Sequence, residues 1–249
     1  MFDLSIIIPT YKRPELLKRA LESIFRQNTD NIQVIVIDDC EEYSGFPVVK
    51  NFSVNYYCKS NIQKGLSSSR NIGLNLSLGK YIVFLDDDDF FVDGSLDSFR
   101  RQIQKGVDFV FFNHYTLAHG VITSHDLSHI TREQLLIGNS IPVGSYLISK
   151  SCISSIFDTK ISSHEDWNFL LDNILELELR FSPELVVVIE KSFNEVNSHQ
   201  ALTRKRWWLD YLAIYARYPA PELSLARKSR LEQLGLNIPV ELLQALKHK

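Results

Sequence analysis

Three short apolar runs separated by helical repeats restrict this chain more than any other feature does. Residues 4–9 (LSIIIP), 32–37 (IQVIVI) and 81–85 (YIVFL) are nearly continuous in apolar side chains. Runs of that length and kind are strands covered on both faces. After the first run, Leu16, Leu17, Ala20, Leu21, Ile24 and Phe25 recur at helical spacing behind Pro14, which suits a first helical turn. Before the third, residues 66–78 read as a helix, with Gly79 in the position favoured just past a helix end. Gly73 inside that helix costs about 1 kcal/mol relative to alanine, so it predicts a close helix–sheet contact. Strand alternating with helix gives an α/β chain with a mostly parallel central sheet and helices on both faces. Such sheets bind ligands outside the carboxyl ends of their strands. Polar residues gather at these three ends: Thr10 and Tyr11, Asp38 and Asp39, and the run Asp86, Asp87, Asp88 and Asp89.

The second half is less regular. Strands are expected at 107–112, 143–148 and 185–189, a turn or short helix at 150–156, and helices at 93–105 and 165–177. From Arg204 the character changes. Nine basic residues then stand against four acidic ones, Asp210, Glu222, Glu232 and Glu241. With 249 residues the chain holds one large domain and a small appendage, here 1–200 and a mainly helical extension at 201–249. Trp207, Trp208, Tyr211 and Tyr215 interleave with the basic residues of that extension. The mixture suits peripheral contact with a membrane, or else packing on the core or on the second subunit of a homodimer.

Several function classes drop out. A net charge of −3 offers no general attraction to nucleic acid. No G-x-G-x-x-G follows the first strand, which removes a dinucleotide-dependent oxidoreductase, and the glycine-rich start of a nucleotidyltransferase is absent too. The three cysteines are scattered and fit neither a disulfide framework nor a zinc site, so a reducing cytoplasmic compartment is expected. No basic region precedes the first apolar run, as a signal peptide would require. No apolar run reaches the roughly 20 residues of a membrane span.

Four adjacent aspartates repel one another unless a cation or donors neutralise them. Mg²⁺ and Mn²⁺ prefer oxygen ligands and commonly bridge carboxylates to substrate phosphates. On an extended strand, residues two apart point the same way, so Asp86 and Asp88 are expected to face one ligand and Asp89 to turn away. A solvated acidic turn ahead of the 93–105 helix is the bland alternative. The run lacks the glycine and distant glutamate of a calcium-binding loop.

Taken together, the segments SIIIPTY (5–11), VIVIDD (34–39), GLSSSRNIG (65–73), YIVFLDDDD (81–89) and HEDW (164–167) resemble the family 2 glycosyltransferases, inverting enzymes with a GT-A fold. They come in that family's order over about residues 4–200. The resemblance implies that Pro9, Thr10, Tyr11 and Arg13 line a nucleotide pocket, with Tyr11 stacked on the base. Asp39, or Asp38 beside it, would accept a hydrogen bond from the base, most often uracil. Gly65 would let the backbone approach, and Arg70 and Asn71 would face the nucleotide or its phosphates. Asp86 would meet the ribose and the metal, Asp88 the metal and diphosphate, with the share of Asp87 left open. Asp166 would be the general base, flanked by Glu165 and Trp167 in the donor or acceptor pocket. Gly144 and Ser145 would border that pocket, and His199 would reach the metal. Neutral imidazole is a competent Mn²⁺ ligand.

The expectation is therefore a metal-dependent transfer, with Mn²⁺ or Mg²⁺, from a UDP-hexose or UDP-N-acetylhexosamine to a glycan or lipid-linked acceptor, in the building of a bacterial surface polysaccharide such as O-antigen or capsule. Such an enzyme would be cytoplasmic, and peripheral on the inner face of the membrane if the extension binds lipid. A catalytically silent nucleotide-sugar binding or scaffold protein is the non-enzymatic alternative.

Overall fold

The first apolar run forms β1 (Leu4–Thr10), seven residues buried along their whole length. It lies between two other buried strands, β2 (Ile32–Asp38) and β4 (Tyr81–Phe84), and runs parallel to both. The protein is described here from a computed structural model that covers residues 2–59, 64–161, 163–191 and 204–246, with only the backbone of 204–206. α1 (Pro14–Phe25) follows β1, and a short α2 (Phe46–Val49) leads to β3 (Asn55–Cys58), which pairs parallel to β2 at the sheet edge. α3 (Leu66–Leu76) precedes β4. Then come β5 (Phe90–Phe91), α4 (Ser95–Gln104), the hairpin of β6 (Phe109–Ala118) and β7 (Val121–His125), and α5 (Arg132–Ile137). β8 (Tyr146–Ser149), α6 (Glu165–Ile174) and β9 (Arg180–Lys191) complete the sheet. α7 (Arg204–Arg217), α8 (Ser224–Gln233) and α9 (Val240–Gln244) make up the extension.

The nine described strands run in the order β3-β2-β1-β4-β8-β6-β9-β5, with β7 beside β6. β6 and β9 are parallel, whereas β8, β5 and β7 oppose their neighbours. The sheet is therefore mostly parallel in strand direction. Successive side chains of a strand point to opposite faces, and β1 divides its isoleucines accordingly. Ile6 and Ile8 join the layer of Leu17 and Leu21 from α1 and Leu96 and Phe99 from α4. Ile7 joins the opposite layer, with Phe84, Trp167, Leu170, Tyr211 and Tyr215. Burying a side chain of that size stabilises the fold by about 1.5–3 kcal/mol.

Several boundaries differ from those expected. α3 stops at Leu76, because Ser77 is extended and its hydroxyl returns to the Leu74 carbonyl at 2.6 Å. Gly79 is thus no helix terminator. It lies against β1, where its N–H donates to Ser5 Oγ at 2.9 Å and a Cβ would stand 2.5 Å from Leu4 C and Ser5 N. Gly73 packs on the sheet as expected, since a Cβ there would meet Ile7 Cγ2 at 2.3 Å. Both alanine variants are expected to lower stability by about 1–3 kcal/mol through overpacking. Gly79→Ala should cost more in a urea titration, because the obstruction is backbone and cannot rotate aside. Residues 143–145 form a single tight turn rather than the start of a strand, and β9 begins five residues earlier than 185 through its pairing with β6.

The extension packs on the core. Tyr211, Ile214 and Tyr215 of α7 are buried in the same layer as Trp167. Tyr215 Oη donates to the Ile137 carbonyl at 2.6 Å. Arg217 pairs with Asp158 at 2.9 Å, and the buried Arg227 guanidinium lies 4.3 Å from the centre of the Tyr215 ring. Tyr211 and Tyr215, two of the aromatic residues that suited a membrane interface in the sequence, are thus buried in the fold. No described helix is long and apolar enough to cross a membrane.

Candidate functional site

β4 ends at Phe84, so the acidic run is not extended strand. It is a tight turn closed by the Asp89 N–H on the Asp86 carbonyl at 3.1 Å. Alternation by two therefore lapses, and a different set converges. Carboxylate oxygens of Asp86, Asp88 and Asp89 all lie within 4.8 Å of one another. Asp89 does not turn away as expected, although one of its oxygens also accepts from the Glu190 N–H at 2.9 Å. Asp87 is the residue that turns inward. It is buried, accepting from Thr10 Oγ1 at 2.7 Å and lying 2.6 Å from Arg13 Nη2. Arg13 Nη1 reaches Asp88 Oδ2 at 3.0 Å. Thr10 and Arg13 thus support the turn from behind, and Asp87 with them. Arg19 of α1, which no sequence signal singled out, donates to the Asp88 carbonyl and pairs with Glu190.

Crowding and burial act together on this turn. Burial pushes Asp87 up to about 7, against the pull of Arg13 and the Thr10 hydroxyl. Asp88 is raised by burial and then by Asp86. Asp89 is raised well above the usual carboxylate range, again by burial first and then by its neighbours. A divalent cation would remove that penalty, and an all-carboxylate donor set suits Mg²⁺ or Mn²⁺.

The two aspartates after β2 have separate tasks. Asp38 is fully buried and accepts from Gly45 N at 2.7 Å, Tyr56 Oη at 2.7 Å and Cys40 N at 3.1 Å, so it organises the loop after β2 and does not face a ligand. Asp39 is partly exposed and accepts from Gly65 N at 2.6 Å. Its other oxygen lies 3.1 Å from the ammonium of Lys59, a buried residue whose Nζ also donates to Gly65 O and Ser69 Oγ. Burial lowers the Lys59 pKa although Asp39 opposes the shift. Lys59 escaped notice in the sequence because β3 is short and gives little warning of where its end lies. Gly65 has φ +102°, a left-handed conformation that favours glycine at the entry to α3. Pro9 is buried in β1 opposite Ile37 and lines nothing open, whereas the Tyr11 ring beyond it is 54% exposed.

The remaining expected residues meet at the start of α6. Arg70 is 2% exposed, with Nη2 2.7 Å from Asp86 Oδ1 and Nη1 2.9 Å from Glu165 Oε1. Its guanidinium lies 5.3 Å from the centre of the Phe157 ring. Arg70 is therefore a tie between the acidic turn and α6. Glu165 is engaged by that tie. Trp167 is fully buried, donating from Nε1 to the Leu135 carbonyl at 2.7 Å, so it is core and not pocket. Successive helical residues point about 100° apart, a consequence of 3.6 residues per turn, and between these two only Asp166 is partly exposed. Its Oδ1 accepts from the Trp167 N–H at 2.7 Å and its Oδ2 from Asn139 Nδ2 at 2.9 Å. Asn71 holds both backbone polar groups of Phe157, at 2.9 and 2.8 Å. Gly144 and Ser145 are buried: Ser145 Oγ returns to the Pro142 carbonyl at 2.9 Å, and a Cβ on Gly144 would meet Val187 at 3.2 Å. They pack the sheet instead of bordering a pocket. His199 lies outside the described residues. A cavity of ≈ 700 Å³ runs along the outer face of α3 past Ser68, Asn75 and Ile156, and no acidic residue lines it.

A family model described as "Glycosyl transferase family 2" matches residues 5–142. A Campylobacter jejuni protein named GalNAc(5)-diNAcBac-PP-undecaprenol beta-1,3-glucosyltransferase is 33% identical over 118 residues, which is 45% of this chain and 38% of that relative. An Escherichia coli K12 protein named putative colanic acid biosynthesis glycosyl transferase WcaA is 27% identical over 190 residues, 70% of this chain and 66% of that one. This chain thus spans well under half of the Campylobacter relative and about two thirds of the other. The crystal structure of Staphylococcus aureus TarS 1-349 in complex with UDP-GlcNAc superposes with a TM-score of 0.72 at 16% identity, covering 97% of this chain and 69% of that one. At that identity the likeness speaks to the fold alone.

Proposed function

Because the chain belongs to glycosyl transferase family 2, we propose that it moves a sugar, with inversion, from a UDP-hexose or UDP-N-acetylhexosamine to a hydroxyl of a glycan or lipid-linked acceptor. One observation carries this reading. Asp86 and Glu165 share Arg70, so the acidic turn and the helix that bears Asp166 lie one side chain apart. The names of the Campylobacter and E. coli relatives support a lipid-linked acceptor and polysaccharide synthesis.

Asp39 accepts a hydrogen bond from the N–H edge of the base, and the exposed Tyr11 ring stacks on it. Lys59 holds Asp39 in place. Asp86, Asp88 and Asp89 would hold a divalent cation, Mn²⁺ or Mg²⁺, which when bound would supply positive charge for the departing diphosphate. Asp166 takes the proton from the acceptor hydroxyl as its oxygen bonds to the anomeric carbon and the bond from that carbon to the diphosphate breaks. Asn139 orients the carboxylate for that task. The protein then works on the cytoplasmic face of the membrane, where a peripheral contact would bring it to its acceptor.

UDP release from a panel of UDP-sugars, with Mn²⁺ and acceptor and against a metal-free control, tests the reading. Equal release in both arms would remove the metal from it. Cation affinity should also depend on pH. Asp88 and Asp89 of the cation set hold protons more tightly than free aspartate, so a metal competes with protons there. Affinity is expected to rise as pH rises and those carboxyls lose their protons, as measured by Mn²⁺ titration. A flat profile would mean that the turn binds no cation directly.

A further inference from the structure

A cleft of ≈ 230 Å³ opens between the 129–140 segment and α8, with Gln134, Asn139, Ser140 and Arg230 on its walls beside Ile130 and Ile137. Asn139 joins it to the site described above, because the same side chain that lines the cleft donates to Asp166 Oδ2 at 2.9 Å. Arg230 comes from the extension, beyond the residues that the family model matches. Gly138 makes room for its guanidinium: a Cβ there would stand 3.3 Å from Arg230 Nε and 3.7 Å from Tyr211 Oη.

The other well-described arginines of the extension have internal partners. Arg217 pairs with Asp158, and Arg227 donates to the Leu136 and Tyr218 carbonyls. Arg230, half-buried, forms no ion pair with a carboxylate among the described residues, and its Nη1 reaches only the Gln233 side-chain oxygen at 3.5 Å. A guanidinium set among amides and hydroxyls, with its donors unclaimed by carboxylate, is suited to an oxyanion that presents two acceptor atoms. Gly138 and Asn139 are consecutive, and neighbouring Cα atoms are about 3.8 Å apart. Arg230 and Asp166 therefore stand within reach of one or two sugar residues.

We propose that this cleft receives an oxyanion of the acceptor through Arg230, either a phosphate of a lipid linkage or the carboxylate of an acidic sugar. The proposal rests on the reading of Asp166 as the base and adds to it the charge of the molecule that the base deprotonates. It also gives the extension a part in acceptor binding.

Isothermal titration at saturating UDP and Mn²⁺ tests it, with N-acetylglucosamine 1-phosphate, glucuronate and neutral methyl glucoside as probes. An anionic probe should bind the wild type, and Arg230→Met should weaken it about tenfold, with Arg230→Lys intermediate. Methyl glucoside binding should not change. Tighter binding of the phosphate assigns the lipid linkage, and tighter binding of glucuronate assigns an acidic sugar. Binding of neither anion, or equal anion binding by wild type and variant, overturns the proposal. Arg230→Gln serves the same purpose should Arg230→Met not fold. Turnover is not needed for any of these measurements. A failure of the transferase reading would appear separately, as absence of UDP release by the wild type with every donor and acceptor.

Discussion

Replacing Asp166 by asparagine is expected to lower turnover about 10²–10⁴-fold, the range typical for loss of a general base, while UDP and Mn²⁺ affinities stay near the wild-type values. The substitution keeps size and one acceptor oxygen, so one of the contacts with the Trp167 N–H and Asn139 Nδ2 can persist, while the new amide nitrogen faces the other donor. The capacity to take a proton is lost, together with one accepted hydrogen bond. Asp166 stands outside the convergent acidic set of Asp86, Asp88 and Asp89, which is why donor and metal binding should separate from rate. Single-turnover transfer with bound UDP-sugar measures the step directly. A rate within tenfold of wild type, with binding unchanged, would assign the base elsewhere.

Arg70→Met should produce the largest loss of stability of any single change considered. Removing one partner of a buried ion pair leaves an uncompensated charge and costs about 3–5 kcal/mol. Here one guanidinium serves two carboxylates, Glu165 at 2.9 Å and Asp86 at 2.7 Å. Burial alone would lower the Arg70 pKa, but Asp86, Glu165 and Asp166 together outweigh it and raise it, so the charge is present in the fold. Urea titration measures the loss. The double variant Arg70→Met with Glu165→Gln should be more stable than Arg70→Met alone, because the stranded buried carboxylate becomes neutral. Loss of under about 1 kcal/mol in Arg70→Met would mean that solvent, and not the ion pair, holds Asp86 and Glu165.

The alternation of strand and helix in the first 90 residues was legible because strands buried on both faces carry few polar residues to confuse the pattern. Ile6, Ile7 and Ile8 need a covered face on either side whatever their neighbours are. The ends of those strands were legible too, since a polar residue after a buried run marks where the chain reaches solvent. Asp39, Asp86 and Asp88 lie just past such ends, Asp166 lies at the start of a helix, and all four are at least partly exposed.

Which neighbours share that exposure was decided only in three dimensions. Asp38 and Asp39 look alike in sequence, yet Tyr56 and Gly45 claim the first. Asp87, whose share was left open, turns inward and Asp89 joins the convergent set because the chain leaves the strand after Phe84 and turns, and a turn does not alternate by two. Trp167 and the aromatic face of α7 belong to the core because they meet each other, Trp167 and Tyr211 with ring centres 5.0 Å apart. Their composition alone suited a pocket and a membrane equally well. Local sequence determined where strands end and hence where chemistry can gather. Direction and burial of each side chain there depend on contacts with segments tens of residues away, such as Arg70 with Glu165, and no local pattern encodes those.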